Sequence, residues 1–220
     1  MTPPTLNIRV TNDPNYMENG YTIYGADGGP CWIIDPGLPP QASQIVAHVR
    51  EHDLSPTAIV LTHAHGDHIG GIDEVRETLG PLPVHLARPE WPALSNPKEN
   101  LSGMMGPGFA TNVRNPLDLV PGDTLELADS SWSILDVSGH SPGGRALYCA
   151  EHGIVFVGDA LFLGSVGRVD FHHSNGEQLM SNIHAHLMTL PDATRVLSGH
   201  GPETTIGHER STNPFVVHGL

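Results

Sequence analysis

Short apolar runs bounded by turn residues recur along the chain and predict an alternation of strands and helices. Apolar or alternating runs indicate strands, whereas apolar residues three and four positions apart indicate helices. The predicted strands cover residues 6–10, 21–24, 31–34, 58–61, 84–87, 125–127, 132–137, 146–150, 154–157 and 195–198. The predicted helices cover residues 41–52, 67–79 and 176–190. This order is typical of an α/β protein.

Residues 95–115 interrupt this pattern. They are rich in Gly, Pro, Asn and Met and show no usable period, which predicts a long loop. Two interpretations stay open, because long ordered loops often carry function but also occur as insertions. The segment is either a lid over a functional site or an insertion without a chemical role.

The predicted strand at 58–61 is followed by four side chains that can bind a metal ion, namely those of His63, His65, Asp67 and His68. In an extended segment residues two apart share a side, so His63 and His65 can face one cation. A glycine then permits a sharp turn, after which Asp67 and His68 begin a helix and can face a second cation. The segment therefore predicts a metal site at the end of a strand, where active sites of α/β proteins lie.

Three further segments with a turn or strand end present one donor each, at His140, Asp159 and His200. Imidazole and carboxylate donors together suit a divalent cation of borderline softness. We predict that His63, His65 and His140 surround a first ion, that Asp67, His68 and His200 surround a second, and that Asp159 bridges them. The opposing interpretation is a solvated histidine-rich loop in a chain with 15 His. It does not account for the repetition at four chain segments.

Composition and charge narrow the class of protein. The 220 residues suit one domain, predicted to cover residues 1–220, and the net charge of -14 argues against nucleic acid or an anionic membrane as a partner. No apolar run approaches the length that spans a bilayer, and the first residues do not resemble a signal peptide. Cys31 and Cys149 are far apart and are expected to be reduced, buried and structural. We therefore expect a cytoplasmic protein; its oligomeric state stays open.

Four motifs together resemble the metallo-β-lactamase fold superfamily. They are the His-x-His-x-Asp-His segment at 63–68, Gly-His-Ser-Pro-Gly at 139–143, Gly-Asp at 158–159 and Ser-Gly-His-Gly at 198–201. The segments Gly-Asp-Ala-Leu-Phe at 158–162 and Gly-Arg-Val-Asp-Phe at 167–171 are similar to those of glyoxalase II-like hydrolases. The resemblance implies a four-layer αβ/βα sandwich, a site at one edge, and the same assignment of seven ligands. It also implies two divalent metal ions, with zinc the leading choice and iron or manganese as alternatives.

A pair of such ions suits hydrolysis of a small-molecule thioester, and the resemblance implies a thioester of the S-lactoylglutathione type. Two ions lower the pKa of a shared water, so that a bridging hydroxide can attack the acyl carbon. Asp67 and Asp159 are the predicted catalytic carboxylates, because they bind the ions and offset part of the positive charge. Arg168 and Phe171 are candidate substrate contacts, and for Arg168 a salt bridge to Asp170 is an equal alternative.

The resemblance is incomplete at the carboxyl end. Full-length glyoxalase II enzymes carry a helical domain that binds glutathione, whereas only 20 residues follow His200, so we expect no such domain. Two alternatives remain: a persulfide dioxygenase with one iron on His63, His140 and Asp159, and a non-catalytic metal-binding module. A β-lactamase is disfavoured by Asp159 and by the lack of a secretory signal. Outside the ligand set, Asp35 is expected to support the site or a turn, and His172 and His173 are expected to be solvated.

Overall fold

The computed structural model describes residues 5–127 and 129–220. The prediction that the first residues do not resemble a signal peptide concerns residues 1–4 and so lies partly outside the described residues. Two β-sheets pack face to face, with helices on both outer faces, so the predicted αβ/βα sandwich is confirmed. The first sheet has the order β1-β2-β3-β4-β5 and the second has the order β13-β12-β9-β8-β7-β6, with a separate β10-β11 hairpin.

The strands are β1 (Asn7–Asn12), β2 (Asn19–Tyr24), β3 (Pro30–Ile34), β4 (Ser55–Val60), β5 (Val84–His85), β6 (Thr124–Leu127), β7 (Ser130–Asp136), β8 (Arg145–Cys149), β9 (Ile154–Gly158), β10 (Leu161–Phe162), β11 (Ser165–Val166), β12 (Arg195–Ser198) and β13 (Thr204–Thr205). The helices are α1 (Gln41–Glu51), α2 (Gly66–Ile69), α3 (Ile72–Leu79), α4 (Gly176–Asn182), α5 (Ile206–Thr212) and α6 (Pro214–His218). Two 3₁₀ segments, Arg88–Ser95 and Ser102–Met104, and a π-helical turn, Ile183–Leu187, complete the described elements.

Apolar side chains fill three interfaces. Trp32 of the first sheet and Trp132 and Phe156 of the second are buried between the sheets, and the two Trp rings lie 6.2 Å apart. Ile45 of α1 and its neighbours cover the outer face of the first sheet, and Leu179 of α4 helps cover the second. Central strands such as β2, β3 and β9 therefore bury side chains on both faces, which explains why several read as continuous apolar runs.

The sheet order brings the ligand-bearing segments to one edge. Strand β9 is parallel to β12 and is separated from β7 by the antiparallel β8, so β7, β9 and β12 all run in one direction. Their carboxyl ends consequently meet at one edge of the second sheet. The main chain of Arg145 at the start of β8 donates to the carbonyl of Thr62, 2.9 Å away, and thereby ties this edge to the end of β4.

The predicted helix over 67–79 is two helices, because Gly70 and Gly71 break it. At Gly71 a Cβ atom would lie 2.6 Å from Cβ of Ala42 and 2.8 Å from the carbonyl oxygen of Pro36, so only glycine lets the chains approach this closely. The helix predicted over 176–190 is confirmed over residues 176–187, as α4 followed by the π-helical turn, and it ends three residues earlier than predicted. The short elements β10, β11, β13, α5 and α6 were not predicted, because two-residue strands and helices of one or two turns are too short to show a periodicity.

No helix among residues 5–127 and 129–220 combines the length and apolarity that a bilayer crossing needs. Both cysteines are free and buried, as the sequence predicted.

Candidate metal centre

Three buried imidazoles form the first group of donors. His63 and His65 follow β4, and His140 follows β7, and their candidate ligand atoms all lie within 4.8 Å of one another. The Nε2 atom of His140 is 3.0 Å from Nδ1 of His65, and both side chains are only 5% exposed. The structure thus brings the predicted first set together.

A carboxylate and two imidazoles form the second group. Asp67 and His68 lie in the first turn of α2, and His200 follows β12, with ligand atoms again within 4.8 Å of one another. The Nε2 atom of His200 is 3.3 Å from Oδ2 of Asp67, and His68 is fully buried. The predicted second set is therefore also assembled.

Asp159 lies between the two groups. Its Oδ2 is 3.6 Å from Nε2 of His140 and 3.4 Å from Nε2 of His200, while its Oδ1 is 3.4 Å from Nε2 of His68. One carboxylate thus faces an imidazole of the first group and two of the second. This position between the two groups is the one that the sequence predicted for a shared carboxylate.

The donor atoms fit a cation. In the described part of the chain, Nε2 of His63, Nε2 of His68 and Oδ1 of Asp159 are buried and accept or donate no hydrogen bond. Such atoms are costly to bury unless they bind something else. Neutral imidazole nitrogens and carboxylate oxygens are ligands that zinc and iron accept, so the residues present suit the divalent ions that the sequence predicted.

The electrostatics favour metal binding at the first group and at Asp159. Burial lowers the pKa of His63, and the adjacent ring of His68 lowers it further, so His63 keeps its lone pair. Burial also lowers the pKa of His65. Burial alone would raise the pKa of Asp159, but His68 and His200 outweigh it and hold that pKa well below its ordinary value. His63 and His65 are therefore neutral and Asp159 is charged, which are the states in which these side chains can bind a metal ion. In the second group burial lowers the pKa of His68 and His200, but Asp159 and Asp67 outweigh it and raise both pKa values, so these rings must release a proton to bind an ion.

Each candidate histidine ligand has a partner on its other ring nitrogen. This arrangement fixes the tautomer and orientation of an imidazole before a metal binds. The partners are Thr62 Oγ1 for His63 at 3.1 Å, His173 Nε2 for His65 at 3.1 Å, Asp35 Oδ2 for His68 at 3.0 Å, the carbonyl oxygen of Arg168 for His140 at 2.8 Å and that of Tyr16 for His200 at 3.0 Å.

Asp35 lies at the end of β3 and supports both Thr62 and His68. Its carboxylate accepts bonds from the main-chain N–H of Thr62 at 2.8 Å and from the Thr62 hydroxyl at 2.6 Å, besides facing His68. The residue adopts a left-handed backbone with φ of 46°, a conformation uncommon for any residue except glycine, asparagine and aspartate. The left-handed backbone at this position directs the Asp35 carboxylate towards His68 of the second group.

Two buried glutamates that contact the ligand segments, Glu18 and Glu90, were not predicted from the sequence. Glu90 is 2% exposed, and it accepts hydrogen bonds from the N–H of Ala64 at 3.2 Å and of Gly143 at 2.6 Å, so it joins the two loops that carry the first group. Glu18 is fully buried with Oε1 3.7 Å from Nδ1 of His68, and burial raises its pKa. No motif surrounds either residue, because both act through contacts between distant segments.

A cavity of about 440 Å³ opens onto the donor cluster. Its walls include Leu101, Met104 and Met105 from the long loop, together with Phe162 and Phe171. The loop is ordered by side-chain bonds, and the carbonyl of Asn100 accepts a bond of 2.6 Å from the N–H of Gly66 inside the ligand segment. Of the two interpretations of residues 95–115, the structure supports a loop that builds the site.

Both predicted substrate contacts, Phe171 and Arg168, line the cavity, but Arg168 is engaged in a salt bridge. The ring centroid of Phe171 is 5.3 Å from that of His65 and 5.8 Å from that of His140. Arg168 lines the cavity but forms the alternative salt bridge, with two bonds of 2.6 and 2.7 Å to Asp170. Its guanidinium also lies 4.5 Å from the Phe171 centroid. His173, expected to be solvated, instead contacts His65.

Residues 16–200 match the protein family described as "Metallo-beta-lactamase superfamily". A probable metallo-hydrolase of Bacillus subtilis, YqgX, is 41% identical over 201 residues, which are 91% of this chain and 92% of the relative. The hydroxyacylglutathione hydrolase GloC of Haemophilus influenzae is 29% identical over 218 residues, 96% of this chain and 98% of that protein.

Comparison with solved structures gives the same fold. The BLEG-1 B3 metallo-beta-lactamase superimposes with a TM-score of 0.89 and 34% identity, over 96% of this chain and 99% of that one. The TTHA1623 protein in a di-iron-bound form has a TM-score of 0.78 and 37% identity, over 94% of this chain and 98% of its own.

Proposed function

This chain belongs to the metallo-β-lactamase superfamily, and we propose that it is a dinuclear metal-dependent hydrolase that cleaves a thioester of the S-lactoylglutathione type. The position of Asp159 carries the proposal. Its carboxylate faces His140 on one side and His68 and His200 on the other, at 3.4 to 3.6 Å, so a single residue can serve two ions. The name of the Haemophilus influenzae relative, a hydroxyacylglutathione hydrolase, supports the substrate class.

His63, His65 and His140 would hold one ion and Asp67, His68 and His200 the other, with Asp159 shared. When bound, two divalent ions supply a Lewis acid for the carbonyl oxygen and lower the pKa of a water molecule towards neutrality. Zinc is our leading choice, with iron and manganese as alternatives, since the donors are all nitrogen and oxygen. The di-iron form of the TTHA1623 protein supports including iron in any test.

Asp67 and Asp159 set the charge of the site. Two carboxylates offset only part of the charge of two divalent ions, so the loaded site stays positive inside a chain of net charge -14. A positive centre at the bottom of a cavity attracts an anionic substrate. The carboxylate groups of a glutathione conjugate meet this requirement.

The cavity supplies binding and shields the reacting bond from solvent. Its 440 Å³ lies within the range of sites for small molecules, roughly 300–1,000 Å³. Met104, Met105 and Phe162 offer apolar surface for the thiol portion, while Phe171 packs beside the first group and limits access of water. Arg168 provides the cationic contact for a substrate carboxylate at the mouth.

We also infer a cytoplasmic location and a small-molecule thioester as the substrate, with neither nucleic acid nor membrane as a partner. The free buried thiols of Cys31 and Cys149 suit a reducing compartment. The acidic net charge opposes binding to nucleic acid and to anionic membranes.

The test combines metal analysis with a thioester assay. Protein produced with added zinc, iron or manganese is analysed for metal per chain and assayed for thiol release from S-lactoylglutathione. We expect two ions per chain and thiol release in wild type. Asp67→Asn should bind about one ion and lose about a hundredfold or more in rate, because one metal ion contributes several kcal/mol to catalysis. The exposed Asp123→Asn is the matched control.

Three other outcomes would overturn the proposal. One iron per chain with oxygen consumption on glutathione persulfide would indicate a mononuclear dioxygenase on His63, His140 and Asp159. Hydrolysis of a chromogenic cephalosporin faster than of any thioester would indicate the activity that the name of BLEG-1 describes. Fewer than two ions without turnover of any of these substrates would leave a metal-binding module.

A further inference from the structure

Beside the mouth of the cavity, a second cluster of donors joins two loops. Glu99 comes from the long loop, and His172 and His173 come from the segment between β11 and α4. Their candidate ligand atoms lie within 4.8 Å of one another. The Glu99 and His172 side chains are 36% and 44% exposed, so solvent ions can reach them.

Hydrogen bonding satisfies this cluster in one tautomer only, in which Nε2–H of His172 donates to Glu99 and Nδ1 of His173 carries no proton. The Nε2 atom of His172 is 3.3 Å from Oε2 of Glu99 and also 3.3 Å from Nδ1 of His173. A neutral imidazole nitrogen carries either one proton or one lone pair. If His172 Nε2 accepts a bond from His173, its lone pair faces the Glu99 carboxylate, and this contact is repulsive. A cation between the three atoms removes the conflict.

Two of the three donor separations match a tetrahedral ion, and the third lies within 4.8 Å. With metal–nitrogen bonds of 2.0–2.1 Å, the donors of a tetrahedral zinc site are about 3.3 Å apart. Both measured separations in the cluster have this value. Two imidazoles and one carboxylate form a donor set that zinc accepts, leaving one position for water.

The cluster also contacts the metal centre. The Nε2 atom of His173 lies 3.1 Å from Nε2 of His65, whose Nδ1 faces His140 at 3.0 Å. When His65 offers the Nδ1 lone pair to the inner ion, its Nε2–H donates to His173, whose Nδ1 then carries the proton. His173 can therefore offer a lone pair either to His65 or to an outer cation, and not to both.

We propose that Glu99, His172 and His173 form an outer divalent-cation site that takes zinc and antagonises the inner centre. When His173 binds an ion there, its Nε2 can no longer accept the hydrogen bond that orients His65. The ion also joins the long loop to the segment that follows Phe171, and both the long loop and Phe171 line the cavity. Excess zinc consequently inhibits the enzyme. The antagonism rests on the proposed function, whereas the existence of the outer site does not.

The decisive experiment counts ions without relying on activity. Metal-loaded full-length protein is dialysed against increasing free Zn²⁺, and zinc per chain is measured. Wild type and the exposed His184→Ala control should bind one ion more than the inner centre holds. Glu99→Gln and His172→Ala should bind that ion about tenfold or more weakly. Equal binding by wild type and both variants would overturn the site.

Thioester hydrolysis tests the antagonism separately, with each protein compared with itself before zinc is added. We expect added zinc to inhibit wild type and His184→Ala. Inhibition of Glu99→Gln and His172→Ala should need a zinc concentration at least about tenfold higher. An extra ion that leaves the wild-type rate unchanged would overturn the antagonism. If no variant hydrolyses thioesters, the proposed function fails, and the ion count still decides whether the outer site exists.

Discussion

Oδ2 of Asp35 lies 3.0 Å from Nδ1 of His68, although the two residues are 33 positions apart in the chain. The contact joins the end of β3 to the first turn of α2. Because Asp35 also accepts two bonds from Thr62, one carboxylate fixes both the start of the ligand segment and one of its rings. Orientation of a ligand by such a partner strengthens metal binding.

Asp35→Asn should weaken metal binding at the second group by about 10–100-fold, because the amide replaces one acceptor oxygen with a donor. Asparagine tolerates the left-handed backbone at this position, so the change is confined to the side chain. Competition with a chelator measures the affinity, and the far-UV circular dichroism spectrum should stay as in wild type. An unchanged affinity would show that Asp35 only shapes the turn.

Glu90→Gln should destabilise the fold by about 1–3 kcal/mol at pH 5, because one of the N–H groups of Ala64 and Gly143 loses its buried acceptor. Urea unfolding measures the difference. The exposed Glu77→Gln serves as the control and should change stability by less than about 0.5 kcal/mol.

The same pair of proteins tests a pH dependence. Burial raises the pKa of Glu90, so the folded state binds its proton more tightly than the unfolded state does. This contribution to stability is complete below the unfolded pKa, about 4.3, and is lost as pH rises through the folded value. The stability difference between wild type and Glu90→Gln should thus be smaller at pH 8 than at pH 5. A difference that grows with pH would contradict this assignment.

Arg168→Ala should raise KM for an anionic thioester about tenfold and leave kcat within about threefold, because the guanidinium binds the substrate away from the reacting bond. Asp170→Asn is the informative control, since it removes the salt-bridge partner and leaves the cation in place. That variant should keep or lower KM. A wild-type KM in Arg168→Ala would mean that the arginine serves only its exposed salt bridge.

Gly139→Ala should cost about 2–5 kcal/mol of stability, combining backbone strain with overpacking. Its φ is +135°, and a Cβ atom there would lie 2.3 Å from the main-chain nitrogen of Leu179 in α4. Gly153→Ala is matched to it, with φ of +60° and no atom within 4 Å, and should cost only about 1–2 kcal/mol. Thermal unfolding of both variants checks the ranking, and equal costs would show that the contact with α4 relaxes freely.

The strands and the ligand residues could be predicted from the sequence because both signals are local. Apolar runs mark β4, β9 and β12, and a histidine or aspartate follows each of them within a few positions. The spacing of His63, His65, Asp67 and His68 alone predicts that the first two side chains face one metal ion and the last two face another.

Only the tertiary structure decided which atoms meet and which residues support them. Glu90, Glu18 and His173 carry no periodic or motif signal, and their roles depend on contacts with Ala64, His68 and His65 across the fold. The break between α2 and α3 likewise follows from close packing against Pro36 and Ala42. Periodicity and spacing describe neighbours along the chain, whereas a buried carboxylate acquires its function from segments that fold against it.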